Sequence, residues 1–228
     1  MTVRWAQYIR KGLTSEGGIF QAAFRSWQYS APLVEVIRSA VPPPARILDV
    51  GCGAAFLSIY LHHLGYEVTA IDEDPEVLTL AQEVAEYFRA TPKFVRGIAA
   101  DLEPFHGRFD LTFSGGVVEH YPRETTVELL REQARCSPAV LVSIPTRHTQ
   151  WISGITDDAH FYSLPALKHM IREAGLDIVS SGAFCDVQSP LSIWLSRLVP
   201  LPLYRWVQRK FTFAVSVYCL GRVPPERA

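Results

Sequence analysis

Neither sign of charge is in surplus: 22 Lys and Arg stand against 23 Asp and Glu over 228 residues, a formal net charge of −1. A near-neutral surface exerts no long-range pull on a polyanion. No basic tract with interleaved aromatics supplies a local one, so a nucleic-acid partner is not expected. Cysteine is sparse. Cys52, Cys136, Cys185 and Cys219 have neither the paired spacing of a metal site nor the density of a disulfide framework, which leaves reduced thiols in a cytoplasmic setting as the expectation. Long apolar runs are missing too. Arg197, Arg205, Arg209 and Lys210 interrupt the apolar C-terminal part before any stretch reaches the roughly 18 residues of a membrane-spanning helix. The opening MTVRWAQYIRKGL lacks the apolar centre of a secretory signal, so secretion is not expected. There is no internal repeat. The one acidic cluster beside a histidine, Asp157 and Asp158 with His160, reads as a solvated loop before a helix, and no metal site is expected.

What the sequence does hold is 48% hydrophobic residues, enough for a sizeable core in a single domain over 1–228. Strand-like runs recur at 46–51, 67–72, 93–98, 109–115 and 139–145, and again at 176–184 and 211–223. Helical patterns separate most of them: Phe56, Ile59, Tyr60 and Leu64 share a face, as do Val77, Leu80, Val84 and Phe88. Strands alternating with helices imply a doubly wound α/β fold whose sheet is mostly parallel. Continuous apolar runs fit strands buried on both faces. Ser163 and Gly175 bracket a further helix in which Leu167, Met170, Ile171 and Ala174 align, the serine as N-cap and the glycine as left-handed stop. VPPPA at 41–45 separates an N-terminal helical arm, 1–44, from a core over 45–185, and an apolar insertion at 187–210 divides the last two strands.

The stretch ILDVGCGAAFLSIYLHHLGYEVTAID, 47–72, carries the chemistry. Gly51 and Gly53 stand where the first strand turns into the first helix, and without a Cβ they let a ligand approach backbone amides. Asp72, about 20 residues on, ends the second strand beside the crevice where doubly wound sheets bind nucleosides, placed to accept from a ribose diol. GCGAAF puts Phe56 where a dinucleotide site needs its last glycine, which argues against a pyrophosphate. Asp49, inside the strand, would be costly to bury unless it bonds amides or a cationic ligand such as a methionine ammonium. Asp101, in AADLEPF at 99–105, is placed to accept from an adenine amino group. The cofactor these residues favour is S-adenosylmethionine.

In these motifs the sequence resembles the class I S-adenosylmethionine-dependent methyltransferases, in particular the small bacterial methyltransferase-domain proteins akin to ubiquinone-biosynthesis O-methyltransferases. LDVGCGAA, AIDEDPEVL, AADLEPF, FDLTFSGGVVEHY and HFYSLPALKHMIREAGL occur in the family's order over roughly 45–185. The resemblance implies a seven-stranded sheet. It also implies that the turn Gly51-Cys52-Gly53 and Asp49 hold the methionine end, that Asp72 with Glu73 beside it holds the ribose, and that Asp101 and the amide of Leu102 read adenine. Ser114 and Gly115 would lie near the sulfonium, and His120 would close that pocket. The family often has a third glycine where this chain has Ala55, a departure of one methyl group.

The sulfonium already activates the methyl group, so the protein need mainly place an acceptor in line behind it. The expected acceptor is small and partly apolar, with oxygen or nitrogen ranked above carbon, and the rival expectation is an inactive nucleoside-binding regulator or assembly partner. His120, His148 and His160 are candidate general bases, His160 ranked first. Glu119 is expected to hold His120, contact the cofactor or serve its helix start. His62 and His63 read as surface. The aromatics of the arm, from Trp5 and Tyr8 to Trp27 and Tyr29, are expected either to cover the cofactor or to pack on the outer sheet face. Residues 189–210 are expected to form a lid, a dimer contact or a peripheral membrane contact, in a monomer or homodimer.

Overall fold

The computed structural model describes residues 5–14, 17–147, 159–186, 198–200, 202–203, 206 and 214–225. Two helices, α1 (Trp5–Leu13) and α2 (Gly18–Ala40), precede β1 (Arg46–Val50), α3 (Phe56–His63), β2 (Glu67–Asp72), α4 (Pro75–Tyr87), β3 (Lys93–Arg96) and β4 (Leu111–Gly115). Then follow α5 (Arg123–Cys136), β5 (Ala139–Pro145), α6 (Leu164–Glu173), β6 (Asp177–Asp186) and β7 (Ala214–Arg222). The seven strands form one sheet in the order β3-β2-β1-β4-β5-β7-β6, and β7 runs antiparallel to both neighbours. All other pairs are parallel.

Strand β1 shows why its run is apolar on both sides. Ile47 faces Leu33 and Ile37 of α2 and Leu57 and Leu61 of α3, while Leu48 and Val50 face Leu102 and Cys136 on the other side. Helices α5 and α6 cover that second face with Leu129, Leu130, Leu167 and Ile171. Two helix starts follow from their sequence: Asp74 accepts from the Glu76 amide at 2.8 Å ahead of Pro75, and Ser163 accepts from the Ala166 amide at 3.3 Å. Gly175, at φ +89°, ends α6 as expected of a left-handed stop.

Three expectations need adjustment. Helix α3 buries Leu57, Ile59 and Leu61 rather than a single stripe through Phe56, Tyr60 and Leu64, because sheet and helices enclose it from several sides. Strand β3 ends at Arg96, short of 98, and the chain turns there, with the Asp101 amide donating to the Ile98 carbonyl at 3.0 Å. Most of the insertion, including Leu191, Trp194, Leu195 and Val207, lies outside the described residues, while Leu198, Leu203 and Trp206 are exposed. Among the described residues no helix is long and apolar enough to cross a membrane.

Candidate functional site

Strand order reverses between β1 and β4, so the carboxyl ends of these neighbours open a crevice. After β1 the chain makes a tight turn in which Gly51 (φ +71°), Gly53 (φ +54°) and Ala55 (φ +53°) are all left-handed. A Cβ on Gly51 would lie 2.5 Å from Val117 Cγ2, so glycine is needed there for space as well as for dihedral angle. Ala55 is buried at the mouth of α3 and adopts the left-handed state despite its methyl group. The turn's amides are not open to a ligand in the manner expected. Those of Gly51 and Cys52 both donate to the Ile71 carbonyl at 2.9 Å, that of Gly53 to Asp72 Oδ2 at 3.2 Å, and that of Ala55 to the Cys52 carbonyl at 2.8 Å. The turn is thereby laced to the end of β2.

Two cavities of about 360 and 340 Å³ meet over this turn. They share Trp5, Gly51, Cys52, Ala54, Gly115, Gly116 and His120 as a common wall. The smaller one runs toward Asp72, Glu73, Gly97 and Ala99, with Tyr8, Ile9, Val117 and Tyr121 as flanks. Asp72 also accepts from the Asp74 amide at 3.1 Å. Burial raises its carboxyl above the ordinary range, partly offset by the Asp74 and Gly53 amides. The larger cavity runs the other way, beneath α2, between Ser26, Tyr29, Ser30 and Leu33 and the ends of β4 and β5. Asp49 lies there, fully buried, accepting from Ser58 Oγ at 2.6 Å, and burial pushes its carboxyl up to about 6. Cys52 sits between Asp49 and Asp72, and burial with these two carboxylates pushes its thiol well up, which makes it a poor nucleophile.

Glu119 is the least conventional residue of the larger cavity. It lies in the 3₁₀ turn Val118–His120 that follows β4 and is 2% exposed. Its Oε2 has no hydrogen-bond partner among the described residues. Burial pushes its carboxyl up to about 8. The surrounding backbone is fixed from outside: Thr126 Oγ1 donates to the Val118 carbonyl at 2.9 Å, the His160 amide to the Glu119 carbonyl at 2.7 Å, and the Tyr162 hydroxyl to the Tyr121 carbonyl at 3.0 Å.

Of the residues singled out in the sequence, Asp49, Gly51, Cys52, Gly53, Asp72, Glu73, Gly115 and His120 all line one or both cavities. Asp101, Leu102, Ser114 and His160 do not. Asp101 is exposed and Leu102 is buried among Leu48, Val50 and Ile71, because the chain folds back after the shortened β3 and presents Gly97 and Ala99 instead. Ser114 alternates away from Phe113 and Gly115 and donates to Gln133 Oε1 of α5 at 3.1 Å. His160 is exposed, its ring stacked on Tyr162, so only its backbone reaches the site. His148, Asp157 and Asp158 lie outside the described residues.

The arm divides its work. Trp5 of α1 stands edge-on to His120 at 5.2 Å over the common wall, while Trp27 of α2 packs on Phe88 and donates to the Phe56 carbonyl at 2.7 Å. Thus α1 covers the common wall, while α2 both packs on the fold and roofs the larger cavity with Tyr29 and Leu33. Gly97, Ala99, Val117, Tyr121 and Ser143 also line the cavities, and nothing in their residue types marks them in the sequence.

Residues 47–137 match the family described as "Methyltransferase domain". The chain is similar to a ubiquinone biosynthesis O-methyltransferase of Cereibacter sphaeroides, with 29% identity over 150 residues, 59% of this chain and 61% of the relative. It thus covers about three fifths of the length of that relative. In fold it is similar to a chain from the complex between the Haloferax volcanii Trm112 methyltransferase activator and its methyltransferase, with TM-score 0.70 and 17% identity over 98% of this chain and 99% of that one. A second solved relative is magnesium protoporphyrin IX methyltransferase from Synechocystis PCC 6803 with bound S-adenosylmethionine, with TM-score 0.63 and 14% identity over 98% and 99% of the two chains.

Proposed function

We propose that this chain, whose residues 47–137 belong to the methyltransferase-domain family and whose fold is that of the class I S-adenosylmethionine-dependent methyltransferases, transfers a methyl group from S-adenosylmethionine to a small, partly apolar acceptor. The observation that carries the reading is the pair of cavities joined over Gly51, Gly115 and Gly116. One offers a carboxylate at a strand end, and the other is a chamber with apolar walls, hydroxyls and the two carboxyl groups of Asp49 and Glu119. Such a division suits a nucleoside on one side and an acceptor on the other.

The residues fit the cofactor. Asp72 keeps a carboxylate facing the smaller cavity at the end of β2 although two amides already bind it. Asp72 and Glu73 would hold the ribose, and Asp49 with the wall at Gly115 and Gly116 would face the amino-acid portion. When bound, the cofactor supplies an activated methyl group. The chain's own contribution is then positioning and exclusion of water, with Trp5 and His120 closing the wall. His120, which borders both cavities, is the better placed of the two candidate bases within the described residues. His160 would act through its hold on Glu119. The names of the curated relatives favour an oxygen acceptor.

Calorimetry with S-adenosylhomocysteine, followed by methyl transfer from labelled cofactor into an acceptor panel, tests this reading. Binding together with label transfer supports it. Binding without transfer to any acceptor would favour a nucleoside-binding regulator or assembly partner, and no binding would remove the cofactor altogether.

A further inference from the structure

Buried carboxyl groups are costly unless something satisfies them. In the larger cavity Asp49 is satisfied by Ser58, but Glu119 Oε2 has no partner among the described residues. Three bonds from Thr126, His160 and Tyr162 fix the backbone around it, so the side chain is not placed by chance rotation of a loose loop. Gly116, which lines both cavities, lies beside the carboxyl: a Cβ there would come 3.5 Å from Glu119 Oε1, an ordinary contact. A carboxyl group short of partners, held on a rigid turn in the lining of a cavity, marks where a ligand's polar group belongs.

The rest of that chamber narrows the chemistry. Its described lining contains two carboxyl groups, Asp49 and Glu119, and no Lys or Arg. Leu33, Phe113 and Ile144 supply apolar walls, and Ser143 adds a hydroxyl. An acceptor bearing a carboxylate or phosphate would find no Lys or Arg in that lining to pair with it. A hydroxyl or an amine would meet a hydrogen-bonding partner.

Resting on the methyl-transfer reading above, we propose that Glu119 is the residue that selects the acceptor: its carboxyl group hydrogen-bonds a hydroxyl or amino group of a neutral or cationic, partly apolar molecule, and anionic acceptors, for which the described lining offers no Lys or Arg, are selected against. Burial favours the protonated carboxyl at neutral pH, and in that state the carboxyl O–H donates to a hydroxyl oxygen. An ammonium group instead stabilises the carboxylate and donates a hydrogen bond to it. One side chain thus serves both acceptor classes.

The test compares the full-length wild-type chain with Glu119→Gln and Glu119→Ala, using three probes of one shape: 4-methylbenzyl alcohol, 4-methylbenzylamine and 4-methylbenzoate. Their binding is measured by ligand-observed NMR with and without saturating S-adenosylhomocysteine. The wild-type chain is expected to bind the alcohol and the amine at least tenfold more tightly than the benzoate. Glu119→Ala should lose at least fivefold for both. The neutral isostere Glu119→Gln should keep the alcohol and lose the amine at least fivefold, a pattern that still decides the matter if the alanine variant fails to fold. Affinity for S-adenosylhomocysteine should stay within twofold throughout. Equal binding of the benzoate, absence of binding by both alcohol and amine, unchanged probe affinities in both variants, or a cofactor affinity that falls with the substitutions would each overturn the proposal. Failure of the wild-type chain to bind S-adenosylhomocysteine would instead remove the methyl-transfer reading, while the probe series without cofactor would still report on Glu119.

Discussion

Asp72 Oδ2 accepts the amide hydrogen of Gly53 across 3.2 Å, tying the end of β2 to the turn that leaves β1. The same carboxylate takes the Asp74 amide on its other oxygen. Asp72→Ala therefore removes two internal bonds together with the proposed ribose contacts. Affinity for S-adenosylhomocysteine should fall by about 1–3 kcal/mol, measured by calorimetry, with a modest drop in melting temperature. An unchanged affinity would place the ribose elsewhere.

The two glycines of the turn should respond differently to alanine. At Gly51 the new Cβ meets Val117 at 2.5 Å and the dihedral is left-handed, whereas at Gly53 the nearest atom is Ile9 Cδ1 at 3.9 Å and strain acts alone. Urea unfolding should find Gly53→Ala about 1 kcal/mol less stable than wild type and Gly51→Ala weaker again, by about 2–3 kcal/mol in total. Equal losses would mean that Val117 moves aside freely.

Stability should decline as pH rises through the neutral range. Burial raises Glu119 to about 8 and Asp49 to about 6 in the folded chain, against about 4 for unfolded carboxyls. The folded state therefore binds more protons, and the stabilisation is complete below pH 4 or so and lost as pH climbs past the two folded values. Glu119→Gln removes one of these titrations. Its unfolding free energy should fall less between pH 5 and 9 than that of wild type, by a difference on the order of a few kcal/mol. Parallel curves would show that Glu119 is ionised in the fold.

His120 and His160 should separate cleanly. His120 lines both cavities and packs against Trp5, so His120→Ala should weaken S-adenosylhomocysteine binding and lower turnover at least tenfold. The His160 side chain is exposed on Tyr162 and its contact with Glu119 is through the backbone amide. His160→Ala should leave cofactor affinity within twofold and turnover within about threefold, read by calorimetry and initial rates. A large loss of turnover in this variant alone would restore His160 as the base.

The strands and the helix from Ser163 to Gly175 were legible because their signals are local: apolar period, capping side chain, left-handed glycine. The glycine turn and Asp72 were legible because their spacing is dictated by one βα unit and the strand beside it. Asp101 and Ser114 stand away from both cavities for a reason the sequence does not carry. Their orientation depends on where β3 stops and which way β4 alternates, and a shift of one residue sends a side chain to the opposite face. The fixed backbone around Glu119 was invisible in sequence, since it follows from Thr126, His160 and Tyr162 converging from α5 and the segment before α6. Ala55 is left-handed at φ +53°, and the one sign of this in the sequence was the third glycine that the family often carries there.

Because Trp5, Gly51, Cys52, Gly115, Gly116 and His120 belong to both cavities, an occupant of either chamber would rest against the same wall. Any factor by which one occupant altered the other's affinity would be the same in both directions. A nucleoside that stilled Trp5 and His120 would lower the ordering cost left for the acceptor, and spent cofactor would do the same, so that the wall between the chambers would also pace the release of products.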